Sequence, residues 1–586
     1  MKNKTQRILC TLLVALPAMA SLVIAFLPYG SLKHLADSLM RDGNFKTLKE
    51  NNAYIFRILM GIAGAILIWA AYGFASWRIL EVRTWLERYW ADLIRFMKGL
   101  RSTRVRAIPM LALLVIMALA VVFRLAHISD GMLHDESYTY TVFSSTSIFN
   151  IITNYSLPNN HILNSLLIFF STRIFGIQPW VIRLPALLAG LLVVPATYGL
   201  AKAIYDRATA LAASLLIAVL PGAILYSTFG RGYSLVSLFT ILSLWLAIYV
   251  RGNKNWFAWS LLVLFSALGF YTVPVMLFPF GVVFAWLFFE NLVAGPVGYA
   301  SKIDFLKYWL IAGISTAALV LILYTPVFIY TGPAKVFANS SIQPKDWQGY
   351  FSSIPHYIIG TWQAWTAGWS PIWAVVLCLG FILGLIFHRR LSQLHFPIQV
   401  AAFVWIAVLV LYQRPASEPK IWVFLQAPFL IWCAAGITGL LQDIRFKFIH
   451  NLPANAVVLG IAILPFLINA IHILPTIPQR WADKGPEEEA VLYIKNQIEP
   501  QDLIIIDTPY DAAVWYYSLL YGVGGDSRFD KRRPFNHLFV IVSPNEGQSL
   551  KSVIDDRGPD SALVNEEAAH FLVNINHLDI YLVPHR

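Results

Sequence analysis

The chain is broken into long apolar blocks of about 17–25 residues, the length an α-helix needs to cross a hydrocarbon core of roughly 30 Å. A helix satisfies its backbone N–H and C=O groups within one segment, which lipid requires. A membrane β-barrel would instead alternate apolar and polar residues in short segments, and no such stretch is present. Only 13% of the 586 residues are charged, about half the fraction in soluble proteins. The sequence therefore predicts an α-helical polytopic membrane protein.

The first block, Ile8–Leu27, follows Lys2, Lys4 and Arg7, and continues past the cleavage-site-like Ala18-Met19-Ala20, as an uncleaved anchor does. A second span covers Tyr54–Trp77. Others follow at about 107–127, 181–202, 208–227, 231–250, 256–274, 275–293, 309–330, 371–388, 396–412, 421–441 and 453–475, about thirteen in all. The formal charge of +12 would point to nucleic acid in a soluble chain. Here the basic residues gather at the ends of apolar blocks, where they fix orientation and meet anionic headgroups, so no nucleic-acid partner is expected. The densest cluster, 78–106, interleaves Arg83, Arg88, Arg95 and Lys98 with Trp85, Trp90 and Ile94, the pattern of an interfacial cytoplasmic helix. Arg251 with Lys254, Lys302 with Lys307, Arg389-Arg390, and Arg445 with Lys447 then fall on the same side. This predicts a multi-pass protein of the inner (plasma) membrane with its N-terminus cytoplasmic and its C-terminus outside.

The organisation that follows is two N-terminal spans (1–77), the basic helix (78–106) and a membrane domain (107–475) with outer loops at 129–180 and 331–370. Residues 484–586 form an extracytoplasmic domain. There Asp502–Asp507, His537–Ser543 and His577–Val583 read as strands, and Glu487–Ile498 and Asp511–Tyr521 as helices, so a small α/β domain is expected. Cys10, Cys378 and Cys433 all fall in predicted spans and have no metal-ligand spacing. No Gly-rich phosphate loop, HExxH or Cys/His metal pattern occurs, and no cofactor is expected.

The chemistry is concentrated in the outer loops. His134-Asp135-Glu136-Ser137-Tyr138 follows a span, and its adjacent carboxylates suit either of two roles. They can complement the dipole of a short interfacial helix, or act as an acid/base pair whose side chains diverge by about 100°. Asn159-Asn160-His161 then opens a helix with His161, Asn164, Ser165, Ser171 and Thr172 on one stripe, which reads as a surface helix; the alternative, a span at 160–177, would invert everything after it.

In this order, Asp135-Glu136, Asn159-Asn160-His161, Phe175-Gly176, Arg183-Leu184-Pro185, Tyr205-Asp206-Arg207 and Phe229-Gly230-Arg231-Gly232-Tyr233 make the chain similar to the C-type (GT-C fold) glycosyltransferases that use polyprenyl-phosphate sugars. Within them it resembles the protein O-mannosyltransferase and lipid A aminoarabinose transferase group. The likeness covers about 107–250 and is topological beyond. The two N-terminal spans and the basic helix depart from the family plan. The resemblance implies Asp135 as the base and Glu136 as the group orienting the acceptor or a basic neighbour. It places Arg231, His161, Lys345 and Lys420 as donor-phosphate ligands, and Tyr138, Asn160 and Tyr233 at the sugar or acceptor. Each has a plainer reading: Arg231 can snorkel, His161 can cap its helix, and Lys345 and Lys420 can be solvated loop charges. Trp362, Trp365 and Trp369 suit either a sugar-stacking wall or a lipid-facing one, and the commoner of the two is an interfacial aromatic belt.

The expected function is transfer of a sugar from a polyprenyl-phosphate donor to a hydroxyl of a lipid, glycan or protein acceptor outside the membrane. A transporter or flippase of the lipid-linked sugar would need ionisable groups near mid-span, where the blocks are almost free of them. A non-catalytic assembly subunit would be expected to lack the Asp135-Glu136 pair.

Overall fold

The computed structural model describes residues 2–40, 48–76, 79–102, 107–295, 297–337, 344–415, 417–448 and 485–586. The span expected at 453–475 lies outside them. Apolar helices dominate, beginning with α1 (Lys2–Phe26), α2 (Tyr29–Met40), α3 (Glu50–Ser76), α4 (Ile79–Ser102) and α5 (Ala107–Leu125). The loop after α5 carries α6 (His134–Tyr138), α7 (Ile148–Thr153) and α8 (Ile162–Phe175). Then come α9 (Pro179–Ile204), α10 (Arg207–Val219), α11 (Pro221–Ser227), α12 (Tyr233–Gly252), α13 (Trp256–Thr272), α14 (Leu277–Ala294) and α15 (Lys302–Tyr330). The loop after α15 holds α16 (Ala334–Phe337) and α17 (Trp347–Trp365). After it come α18 (Ile372–Ile386), α19 (His388–Leu391), α20 (Ile398–Gln413) and α21 (Gln426–Phe448).

Among the described residues five segments are long and apolar enough to span a membrane singly, or seven if each bent helix pair is one span. α12 is central, with 78% of its apolar window buried, whereas α15 is 22% buried and turns Ile314, Leu321 and Ile322 outward. An apolar rim of that kind is stable in lipid and not in water. The block expected as one span at 208–227 is two helices, α10 and α11, meeting at 62°. Pro221 has no N–H to give the Ile217 carbonyl, and its ring crowds the preceding turn. Arg124, buried near the end of α5, donates to the Ala218 carbonyl at 2.9 Å and to Ser227 Oγ at 3.1 Å. Its guanidinium thus meets the negative end of α10.

The basic helix α4 is docked as well as amphipathic. Asp92 is buried and accepts the Trp256 N–H at 2.7 Å, Asn255 Nδ2 donates to the Asp92 carbonyl at 2.9 Å, and Phe96 packs edge-on against Tyr249. Trp90 and Met97 remain exposed on its other side. α8 is oriented polar side in. Asn164 Nδ2 donates to the Gly230 carbonyl (3.1 Å) and Ser171 Oγ to the Val181 carbonyl (3.1 Å), while Phe170, Ile174 and Phe175 face outward. At about 1.5 Å per residue this 14-residue helix is too short to cross a bilayer. Trp365 and Trp369 are buried, against Phe429 and Trp373, and do not form the lipid-facing belt expected of them.

The C-terminal residues form a four-stranded sheet of β1 (Leu503–Ile506), β2 (His537–Val542), β3 (His570–Ile575) and β4 (Leu578–Pro584), in the order β1-β2-β4-β3. β1 and β2 are parallel and the other pairs antiparallel. Strand alternation sends Leu503, Ile505, Leu538 and Val540 to one face, against Val553 and Ile554 of α24 (Leu550–Arg557). On the other face Ile504, Ile506, Phe539 and Ile541 pack on α22 (Pro486–Lys495) and α23 (Asp511–Leu520). That cluster continues without a break into Met132, Tyr140, Ile168 and Ile182 of the membrane domain.

The orientation read from the charge bias is tested with single cysteines at exposed positions. Leu157→Cys and Lys531→Cys should react with an impermeant thiol reagent applied outside, and Arg88→Cys should not. Labelling of Arg88→Cys from outside in intact cells reverses the topology.

Candidate active site

α6 begins at Leu133, in extended backbone, and its first turn carries Asp135 and Glu136. Successive side chains on a helix diverge by about 100°, so one carboxylate turns inward and the other outward. Glu136 is the inward one and is fully buried. It accepts from Arg183 Nε at 3.0 Å, the Gly230 N–H at 2.7 Å and the Leu133 N–H at 3.0 Å, with a second ion-pair contact from Arg183 Nη2. Arg183 in turn donates to the carbonyls of Ile128, Asp130 and Gly131. Gly230 leaves room for this approach, since a Cβ at that position would come within 3.1 Å of the Glu136 carboxylate. Glu136 is thereby fully engaged in holding the loop after α5 to α9 and to the turn before α12. Arg183 stands in the sequence only as one member of the Arg-Leu-Pro string; its partner is set by the tertiary fold.

Asp135 turns outward, its side chain about a third exposed. Its Oδ1 is 3.8 Å from His134 Nδ1, and its Oδ2 is 3.9 Å from Lys420 Nζ, the lysine just before α21. The neighbouring His134, aided by Arg231 and Lys420, holds the Asp135 carboxyl down at about 2 against the opposing effect of burial. His134 is pushed up to about 9 by Asp135 and by Asp511 of α23, which lies 3.0 Å from its Nε2. Asp135 is therefore ionised, and His134 protonated, at neutral pH.

Behind this pair sits Arg231, which is buried and does not snorkel. Its Nη1 donates to Thr139 Oγ1 at 2.6 Å and to the Asn159 carbonyl. Its Nη2 lies 3.1 Å from His161 Nε2. The Gly232 N–H donates to His161 Nδ1 at 2.9 Å, so that nitrogen is unprotonated. Burial, with Arg231 and Lys420 nearby, keeps the imidazole neutral, well below its usual pKa. Its single proton is then on Nε2, on the side of the Arg231 guanidinium.

The remaining predicted site residues divide. Tyr233 meets His161 edge-on (4.9 Å between ring centres), and Tyr138 stacks on His134 (6.1 Å). Asn160 is internal scaffold, donating to the carbonyls of Ile151 and Asn154 and accepting from Ser165 Oγ. Lys345 is held at Tyr357 of α17, 2.8 Å from its hydroxyl, and contacts none of the residues around Asp135. Glu418, 2.8 Å from Lys420 Nζ, and Asp511 join the site instead. Among the described residues no group of three or more His, Cys, Asp or Glu is placed to hold a metal.

A polytopic helical bundle with a small C-terminal α/β domain is a GT-C-like fold, so the resemblance seen in the sequence holds at the level of the fold. The structure matches that of ArnT from Cupriavidus metallidurans in the apo state, with a TM-score of 0.52 and 11% identity over 80% of this chain and 97% of that one. It matches the same protein bound to undecaprenyl phosphate with a TM-score of 0.50 and 12% identity over the same shares. Residues 160–330 match the dolichyl-phosphate-mannose-protein mannosyltransferase family. No curated protein sequence matches the chain.

Removing one partner of a buried ion pair strands the other charge, at a cost of about 3–5 kcal/mol. Arg183→Met should therefore lower the stability of the detergent-solubilised protein by about that amount in denaturant titration. Unchanged stability means that the Glu136 pair does not brace the loop.

Proposed function

We propose that the protein is a membrane glycosyltransferase that moves a sugar from a polyprenyl-phosphate donor to an acceptor hydroxyl at the extracytoplasmic surface, with Asp135 as the base. The observation that carries this reading is the ionised Asp135 beside Lys420, each side chain at least a third exposed and backed by Arg231 and His161. In the reaction the acceptor oxygen attacks the anomeric carbon from the side opposite the phosphate. Asp135 takes the hydroxyl proton, and the carbon–oxygen bond to phosphate breaks with its electron pair staying on the lipid phosphate. That group leaves as a stable anion and needs no general acid. It needs positive charge and hydrogen-bond donors: Lys420 supplies a cation at the mouth, and behind it Arg231 supplies a second cation and the neutral His161 an N–H donor.

A carboxylate held near pKa 2 is a weak base in the resting site. Donor binding corrects this. A phosphate drawn to Lys420 takes that cation away from Asp135 and adds a negative charge nearby, and both changes raise the carboxylate's proton affinity. The base is thus strengthened only when a donor is present to react. A flippase that couples protons to transport would need ionisable groups deep in its spans. In the described spans the charged side chains, such as Arg124, Arg183, Arg251 and Glu290, lie within about two turns of an end.

Asp135→Asn is nearly isosteric and should cut transfer by about 10²–10⁴-fold while leaving binding of a polyprenyl-phosphate-sugar analogue intact. Lys420→Ala should show the reverse, weakening analogue binding. The comparison is turnover and analogue affinity on purified protein, with lipid and glycan mass spectra of cells with and without the chain naming sugar and acceptor. Near-normal turnover of Asp135→Asn removes the base assignment, and wild-type affinity of Lys420→Ala removes the phosphate assignment.

A further inference from the structure

His134 lies between two carboxylates that come from opposite ends of the chain. Its Nδ1 faces Asp135 at 3.8 Å and its Nε2 faces Asp511 at 3.0 Å. Asp511 is the first residue of α23 and belongs to the C-terminal domain. That helix has no freedom to drift from the membrane loops. The Tyr516 hydroxyl donates to the Ile177 carbonyl at 2.7 Å, the Met132 N–H donates to the Tyr517 hydroxyl at 2.9 Å, and Tyr140 packs edge-on against Tyr516. Met132 and Tyr140 flank α6 in sequence, so α23 grips the loop on both sides of the residues that bear the chemistry. The start of α23 then falls directly on the imidazole.

We propose that Asp511 is a positioning residue of the transfer site: it holds the His134 imidazolium against Asp135, so that the C-terminal domain completes the active centre. This rests on Asp135 being the base. The charges facing each group are few. His134 meets Asp135 and Asp511 and stacks on Tyr138. Asp511 feels His134 and Arg557, and its own helix donates the Ala512 N–H to it at 2.8 Å. Asp135 feels His134, Arg231 and Lys420. The helix N-terminus at Ala512 further favours the Asp511 anion. Of the cations around Asp135, His134 is the one whose charge depends on the external domain.

The consequence can be signed. Without the Asp511 carboxylate, His134 loses one of the two anions that keep it protonated, so it gives up its proton at lower pH. Asp135 titrates far below that pH, where His134 is protonated with or without Asp511, so the acid limb of activity stays in place. The alkaline limb, on which the imidazolium that positions Asp135 loses its charge, moves down in pH.

The test is kcat and KM against pH on the full-length protein, for wild type, Asp511→Asn, Asp511→Glu, His134→Gln and the double variant Asp511→Asn/His134→Gln. Asp511→Asn should lower kcat at pH 7 by about tenfold or more with the donor KM unchanged, as loss of a group that aligns a reacting side chain does. As pH rises it should also lose activity earlier than wild type does, with the acid limb unchanged. Asp511→Glu should recover most of the loss. In the His134→Gln background the Asp511 change should cost nothing further. Asp135→Asn, run alongside, separates the two ideas. If it retains turnover, the base reading itself is wrong. If it is inactive while Asp511→Asn leaves the alkaline limb in place, or costs as much with His134→Gln as without, Asp511 has only a structural part and the proposal is overturned.

Discussion

Everything in the candidate site depends on one buried contact, the ion pair of Glu136 with Arg183. A carboxylate with no access to water is tolerable only when its lone pairs are filled, and here a guanidinium and two backbone N–H groups fill them. Because those donors come from the start of α6, from α9 and from the turn before α12, satisfying one side chain fixes three segments relative to one another. The same turn carries Gly232, whose N–H sets the His161 tautomer, and Arg231, which reaches back to Thr139 and Asn159. Glu136 therefore determines where its neighbour Asp135 stands without touching a substrate.

What was legible in the sequence was what local periodicity encodes. Apolar blocks mark the helices, and the unbroken apolar runs in Leu503–Ile506 and His537–Val542, covered on both faces, mark the buried strands. β3 was not read because it is an edge strand whose side chains are mostly exposed or half-buried, leaving no clean alternation. The break between α10 and α11 was missed because a single proline in an apolar run can bend a span or pass unnoticed. What decides the matter is Arg124, a charge that looks like an ordinary span-end arginine until the carbonyls it serves are known.

Within the candidate site the sequence pointed to polar residues of the loops but not to their partners. Asp135, His161, Arg231 and Lys420 come together although Lys420 lies in a distant segment. Lys345 has an equal claim from sequence, and it is carried off to Tyr357 by α17. Asp511 carried no signal at all, because an aspartate opening a helix in a soluble domain ordinarily needs no explanation beyond the helix dipole. Long-range pairing is set by packing, and packing is what a local pattern does not record.

The inverted face of α8 has a consequence for where the reaction is located. A helix with serine and asparagine toward the protein and Phe170, Ile174 and Phe175 toward the outside has only one comfortable level, at the boundary between acyl chains and headgroups. His161 is at its first turn and the Arg231 turn is hydrogen-bonded along its inner side, so both ride at that level. The helix acts as a float, and the loop that carries Asp135 takes its height from the lipid headgroups rather than from the length of the bundle beside it. If the bilayer thins or thickens, the loop should stay in register with lipid headgroups, and the bundle should absorb the mismatch by tilting.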